Sequence, residues 1–196
     1  MRHRTDRALI CALVLFAAGC GSTPDSRFYT LRASTTPAGG TSSDLSVAVG
    51  PVSVPDMVDR PQIVVTTGGN QVRLDEFNRW AGPLQSNISR VVADNLMVLL
   101  GTSRVSTFPQ AMSADADYRA VIAVQSFESA PGEAATVDAT WTVRRMKDSK
   151  TSTGRTLARE PVQGKDYDAL AAAHSRAVAR LSRDIADAVR GLATAP

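Results

Sequence analysis

The chain has 196 residues, a formal charge of +3, 5% aromatic content and two cysteines. This length suits one domain with a real core, and the scarcity of aromatic residues and lack of any basic block argue against a nucleic-acid surface. Cys11 lies inside an N-terminal apolar run, which leaves Cys20 alone and excludes both an intramolecular disulfide and a cysteine metal site in the mature chain.

Arg2, His3, Arg4 and Arg7 precede an apolar run from Ala8 to Ala18, followed by Gly19-Cys20. The run is too short for a stable membrane-crossing helix, which needs about 20 apolar residues, and it ends in small residues. Residues 1–19 therefore read as a cleaved secretory signal peptide. A cysteine at that boundary resembles the bacterial lipobox, with Ala17 where leucine is usual, and implies an N-acyl diacylglycerol lipid on Cys20 with no other cofactor. Removing the first 19 of 196 residues leaves 177, and losing Arg2, Arg4, Arg7 and Asp6 brings the charge from +3 to about +1. Residues 20–26 form a lipidated tether. Its about six residues span roughly 20 Å when extended, so residues 27–193, the folded domain, stay beside one membrane. Gly21 stands where an Asp would resemble an inner-membrane retention signal, which favours the periplasmic face of the outer membrane.

Ser26 to Leu31 reads as a short strand, and Ala33 to Asp44 as a Gly/Ser/Thr/Pro loop. Leu45, Val47 and Val49 alternate, and the parity then flips to Val52 and Val54, which predicts a bulge at Gly50-Pro51. Ile63–Thr67 and Gln71–Leu74 flank a Gly-Gly-Asn hairpin turn. Pro83 opens a helix whose stripe is Leu84, Ile88, Val91, Val92, Leu96 and Leu99, and Gly101 stops it. Arg104–Phe108 is a strand; Tyr118–Glu128 and Thr136–Arg145 form a meander around Pro131-Gly132, the second with a wet face of Thr136, Asp138, Thr140, Thr142 and Arg144. Leu157–Val162 adds a last strand, and an amphipathic helix runs from about Tyr167 to Leu192. The economical architecture is a single α+β domain, a mainly antiparallel sheet packed on one face by the two amphipathic helices.

Chemistry is thinly represented. His174 falls on the apolar stripe of the last helix and reads as a buried, hydrogen-bonded residue, and no G-x-S-x-G or phosphate loop accompanies it. The pairs Asp115/Asp117 and Asp184/Asp187 read as solvated surface. These observations predict a non-enzymatic protein without a metal.

The segment "VGPVSVPDMVDRPQIVV", Val49 to Val65, combines strand-forming valines with Pro51, Pro55 and Pro61, which suit sheet edges and bends. Asp59 can pair with Arg60 or cap a turn, beside Met57 and Val58. Two readings stand together: an exposed docking surface, or a packed edge turning a corner. The partner-binding candidates are Val54, Asp56, Met57, Val58, Asp59 and Arg60. Trp80, just before the helix, joins them, although a tryptophan in this place is more often a core plug than a contact, with Arg79 covering it.

The lipobox, "RFYTL" from Arg27, the segment above, "FNRWAGPL" opening a helix and "HSRAVARLSRDIADAV" in the last helix together resemble the ABC-type transport auxiliary lipoproteins, the family of paraquat-inducible protein C. Gly82 stands where that family often has an acidic residue. The resemblance implies a partner, a mammalian cell entry (MCE) domain protein of an ABC-type system that moves lipid between membranes, and a role in envelope integrity. It also leaves open a homo-oligomer. The expected function is docking of the MCE protein; the alternatives are a periplasmic lipid-binding carrier, with an acyl cavity between sheet and first helix, or a structural envelope lipoprotein.

Overall fold

In the computed structural model residues 24–36 and 44–195 are described, so the leader 1–19, Cys20 and the middle of the Gly/Ser/Thr/Pro loop lie outside the described residues. The elements are β1 (Arg27–Tyr29), β2 (Val47–Ser53), β3 (Gln62–Gly68), β4 (Gln71–Trp80), α1 (Leu84–Leu100), β5 (Val105–Thr107), β6 (Tyr118–Ala130), β7 (Ala134–Arg145), β8 (Thr151–Pro161) and α2 (Tyr167–Thr194). A 3-10 turn, Ala111–Ser113, follows β5.

The α+β class and the two helices are as expected, but the strands divide between two sheets. A three-stranded sheet has the order β1-β4-β3, and a five-stranded sheet the order β5-β2-β6-β7-β8. The β3/β4 hairpin and the β6-β7-β8 meander are antiparallel. β1 pairs with β4, and β2 with both β5 and β6, in parallel. Those parallel pairs need long crossovers, which local patterning does not announce. The helices cover one face of the larger sheet, α1 over β2 and β5 and α2 over β7 and β8, and they pack on each other.

Local rules account for the helix ends. Pro83 occupies the N-cap of α1, and Gly101 adopts a left-handed φ of 64° at its C-cap, with its N–H bonded to Met97, a conformation that glycine takes without a Cβ clash. Asp166 caps α2 by accepting from the Ala169 N–H at 2.8 Å. Between α1 and the sheet, Val47, Val49, Leu84, Ile88, Val91, Val92 and Leu96 are almost wholly buried in one core. Truncating a side chain such as Leu96 there would cost about 2–5 kcal/mol. The lipid-carrier alternative would place its acyl cavity in this same region.

The β2 register shifts between Val49 and Val52, as the parity flip predicts, and Gly50-Pro51 is a cis peptide. β1 is shorter than expected because the chain turns inward: Leu31 is fully buried. Beyond it the Arg32 N–H donates to Ser175 Oγ and the Ser34 N–H to Asn95 Oδ1. Residues 30–35 thus cross the groove between α1 and α2, held by buried polar side chains of both helices. β8 begins at Thr151, six residues before the expected start. Its inward positions are small or polar, and the Trp141 ring covers Gly154 across the strand pair.

Candidate functional site

Residues 54–61 connect β2 of the larger sheet to β3 of the smaller one. The prolines act where they were expected to: Pro51 falls in the part of β2 beyond its pairing with β5, and Pro55 and Pro61 lie between strands. The segment therefore crosses between sheets instead of running along one edge. The Pro55 carbonyl accepts from both the Val58 and Asp59 N–H groups, at 3.0 and 3.2 Å. That turn drives Val58 into the core at 5% exposure and leaves Met57 half exposed. Asp56, Asp59 and Arg60 are exposed, and Val54 is half-buried against the core.

Asp59 takes its hydrogen bond from Gln85 Nε2 of α1 at 3.1 Å, which ties the turn to the start of the helix. The Trp80 N–H donates to the Pro61 carbonyl at 2.7 Å, and the Ala81 N–H to the Tyr29 carbonyl. These bonds bring Asp59, Arg60, Pro61, Trp80, Ala81, Gly82 and Pro83 around an open cleft of about 410 Å³. Trp80 itself is 4% exposed, with its ring edge-on to Phe127 and His174 at 6.0 and 6.1 Å. It is a core plug that forms the cleft's floor. Gln85 and the Ala81-Gly82-Pro83 corner were not among the partner-binding candidates read from the sequence; their position at a strand-to-helix junction was the available signal.

A polar cluster behind the cleft sets the shape of β4. Between Ile63↔Asp75 and Gln62↔Arg79 the β4 strand carries three extra residues, and Asp75 organises that bulge. Its Oδ1 accepts from the Phe77 N–H, the Asn78 N–H and Asn78 Nδ2 at 2.9–3.1 Å. Its Oδ2 accepts from Tyr167 Oη at 2.6 Å and Arg73 Nη1 at 3.2 Å. Desolvation works to raise the Asp75 pKa, but the hydrogen bonds from Tyr167, Asn78 and Arg73 outweigh it and hold the carboxyl well below the usual range. Burial raises the Tyr167 phenol, and its bond to Asp75 adds to the effect. Tyr29 Oη completes the cluster by donating to Asn78 Oδ1. This constellation joins β1, β4 and the first turn of α2, and the sequence alone did not reveal it.

His174 is fully buried. Its Nε2 lies 2.8 Å from Ser129 Oγ and its ring stacks on Phe127 at 3.9 Å; burial pushes its pKa down to about 3. An imidazole sealed in this way is neutral at neutral pH and does not meet a solvent-borne substrate. Asp117 is exposed as expected but also accepts from the Ser46 N–H and Oγ at 2.9 and 2.6 Å, and Asp184, half-buried, accepts from Thr156 Oγ1 at 2.5 Å. Loop–strand and strand–helix contacts that spacing does not show supply both partners. Among the described residues no group of three or more His, Cys, Asp and Glu is placed to hold a metal, and no helix is long and apolar enough to cross a membrane.

The family model for the ABC-type transport auxiliary lipoprotein component matches residues 29–186. Among solved structures, the chain is similar to that of an uncharacterized protein at 19% identity, covering 85% of this chain and 99% of that one with a TM-score of 0.69. It is also similar to a protein of Xanthomonas campestris at 18% identity, covering 86% and 100%, again with a TM-score of 0.69. At these identities the likeness shows a shared fold. No curated protein matches the chain.

Proposed function

The chain belongs to the family of ABC-type transport auxiliary lipoprotein components, and from that premise we propose that it is a non-catalytic docking module, anchored through acylated Cys20 to the periplasmic face of the outer membrane. Its partner is the far end of an MCE-domain protein spanning the periplasm. A body tethered within a few tens of ångströms of one bilayer cannot shuttle between two membranes, so its partner must cover the distance.

The observation that carries the reading is the 54–61 connection: it presents Met57, Asp59 and Arg60 beside the 410 Å³ cleft while Val58 and the Trp80 N–H bond hold its backbone to the core. A rigid backbone with exposed apolar and charged side chains binds with little ordering entropy to lose. Met57→Asp combined with Asp59→Lys changes the exposed face and spares the buried Val58. Pull-down of the cognate MCE protein should be lost in this double variant. Undiminished capture would remove the segment from the interface.

A further inference from the structure

The three-stranded sheet has one face against the core, carrying Ile63, Val65, Asp75 and Trp80. Pairing places the others opposite, Val64 matched with Leu74, Thr66 with Val72, Gln62 with Arg79, and Arg79 with Phe28; of these Val64 alone is buried, at 6% exposure. Phe28, Arg79, Leu74 and Val72 therefore share one outer face, and Phe77 sits in the Asp75 bulge between Leu74 and Arg79. Phe28 is 63% exposed, Val72 43%, Leu74 38% and Phe77 37%. Among the described residues these are four of the ten exposed large apolar side chains, all on the adjacent strands β1 and β4, a concentration that scattered surface hydrophobes do not produce. Glu76, the acid in this row, is held by Arg79 and Gln62, so the face presents apolar side chains bordered by arginine.

We propose that this face lies on the surface of the bilayer that holds the anchor, with Phe28 and Phe77 at the level of the lipid headgroups. The inference depends on the reading of Cys20 as the acylated residue. Phe28 is eight positions after Cys20, so it lies at most about 28 Å from the lipid even with the tether straight. A domain of this length is roughly 40 Å across, which prevents Phe28 from being turned to the side away from the membrane. Aromatic rings beside guanidinium groups suit the boundary between acyl chains and headgroups, the ring burying its apolar body and the arginine reaching phosphate. The opposite sheet edge offers no such match: Leu157 of β8, though 66% exposed, has Arg155 and Arg159 as its same-face neighbours along the strand and no apolar companion there. One consequence joins the two proposals. The 54–61 turn leads directly into β3, so a partner docked there would end beside the bilayer surface.

The mature chain has one cysteine, Cys20, and it is consumed by the lipid, so an engineered cysteine takes a fluorescent label uniquely. Phe28→Cys, Leu74→Cys and, as control, Leu157→Cys are labelled in the full lipidated chain. Each is then placed on vesicles of phosphatidylethanolamine with phosphatidylglycerol that carry nitroxide-labelled lipid. The labels at 28 and 74 should lose emission several-fold more than the label at 157. If the protein floats with the vesicles but all three labels are quenched alike, the face is wrongly assigned and the anchor stands. If the protein does not float, the anchor falls and this proposal with it. If the labels at 28 and 74 are shielded from a water-soluble quencher without lipid, a second copy or another protein covers the face and the proposal falls.

Discussion

Acidification probes the buried His174. In the folded chain its pKa is held down to about 3 by burial, against about 6.5 in the unfolded chain. Between those values the unfolded state binds a proton that the folded state refuses, so stability falls as pH falls. The contribution is fully present above about pH 6.5 and is lost progressively down to pH 3. From pH 7 to pH 4.5 the loss works out at about 2.5 kcal/mol, a large part of the 5–15 kcal/mol typical of a domain. Urea unfolding followed by tryptophan fluorescence measures it, since Trp80 lies edge-on to the imidazole. The comparison is Ser129→Ala with His174→Leu, which removes both members of the buried pair and so leaves no orphaned hydroxyl. The wild-type midpoint should drop steeply over this interval and the double variant's much less. Equal slopes in the two proteins would refute the assignment of the pH dependence to this residue.

A Cβ on Gly154 would clash with Trp141 Cζ2, so Gly154→Ala should destabilise by about 1–3 kcal/mol. In a Trp141→Ala background the same change should be nearly neutral, and a double-mutant cycle by denaturant titration reads the coupling. Asp75→Ala strands Tyr167 and the bulge N–H groups and should cost about 2–4 kcal/mol; hydrogen exchange at Phe77 and Asn78 should quicken out of proportion to that loss. The Met57→Asp and Asp59→Lys double variant should leave the unfolding midpoint within about 0.5 kcal/mol of wild type while abolishing capture of the MCE protein.

What could be read before the structure was local. The α1 stripe and its Pro83 and Gly101 ends, the Gly-Gly-Asn hairpin, and the bulge implied by the valine parity around Gly50 depend on residues a few positions apart. The division into two sheets was not legible, because β2 pairs in parallel with β6, whose first residue lies 71 positions beyond Val47, and no local period records such a partner. β8 was read too late because its inner face carries Ser152, Gly154 and Thr156, an apolar-poor row over which the Trp141 ring lies, its Nε1 donating to Thr156 Oγ1. For the candidate site, the proline spacing placed the exposed turn, and the lone apolar position that belongs inside, Val58, was grouped with its neighbours because alternation fails in a turn. The Asp75 cluster draws its members from β1, β4 and α2, and its residues are individually ordinary.

The three rungs that join β1 to β4 run parallel, with the N-terminal side of the chain entering at Arg27. Tension drawn through that end loads the rungs in shear, all three sharing the strain, instead of opening them one after another like a zipper. Behind them, Leu31 and the bonds from Arg32 and Ser34 to the helices act as a second clamp in series. On the proposed Cys20 anchor, a moving partner that tugs the domain away from its bilayer would therefore have to break a strand and a buried hook before the body itself gave way.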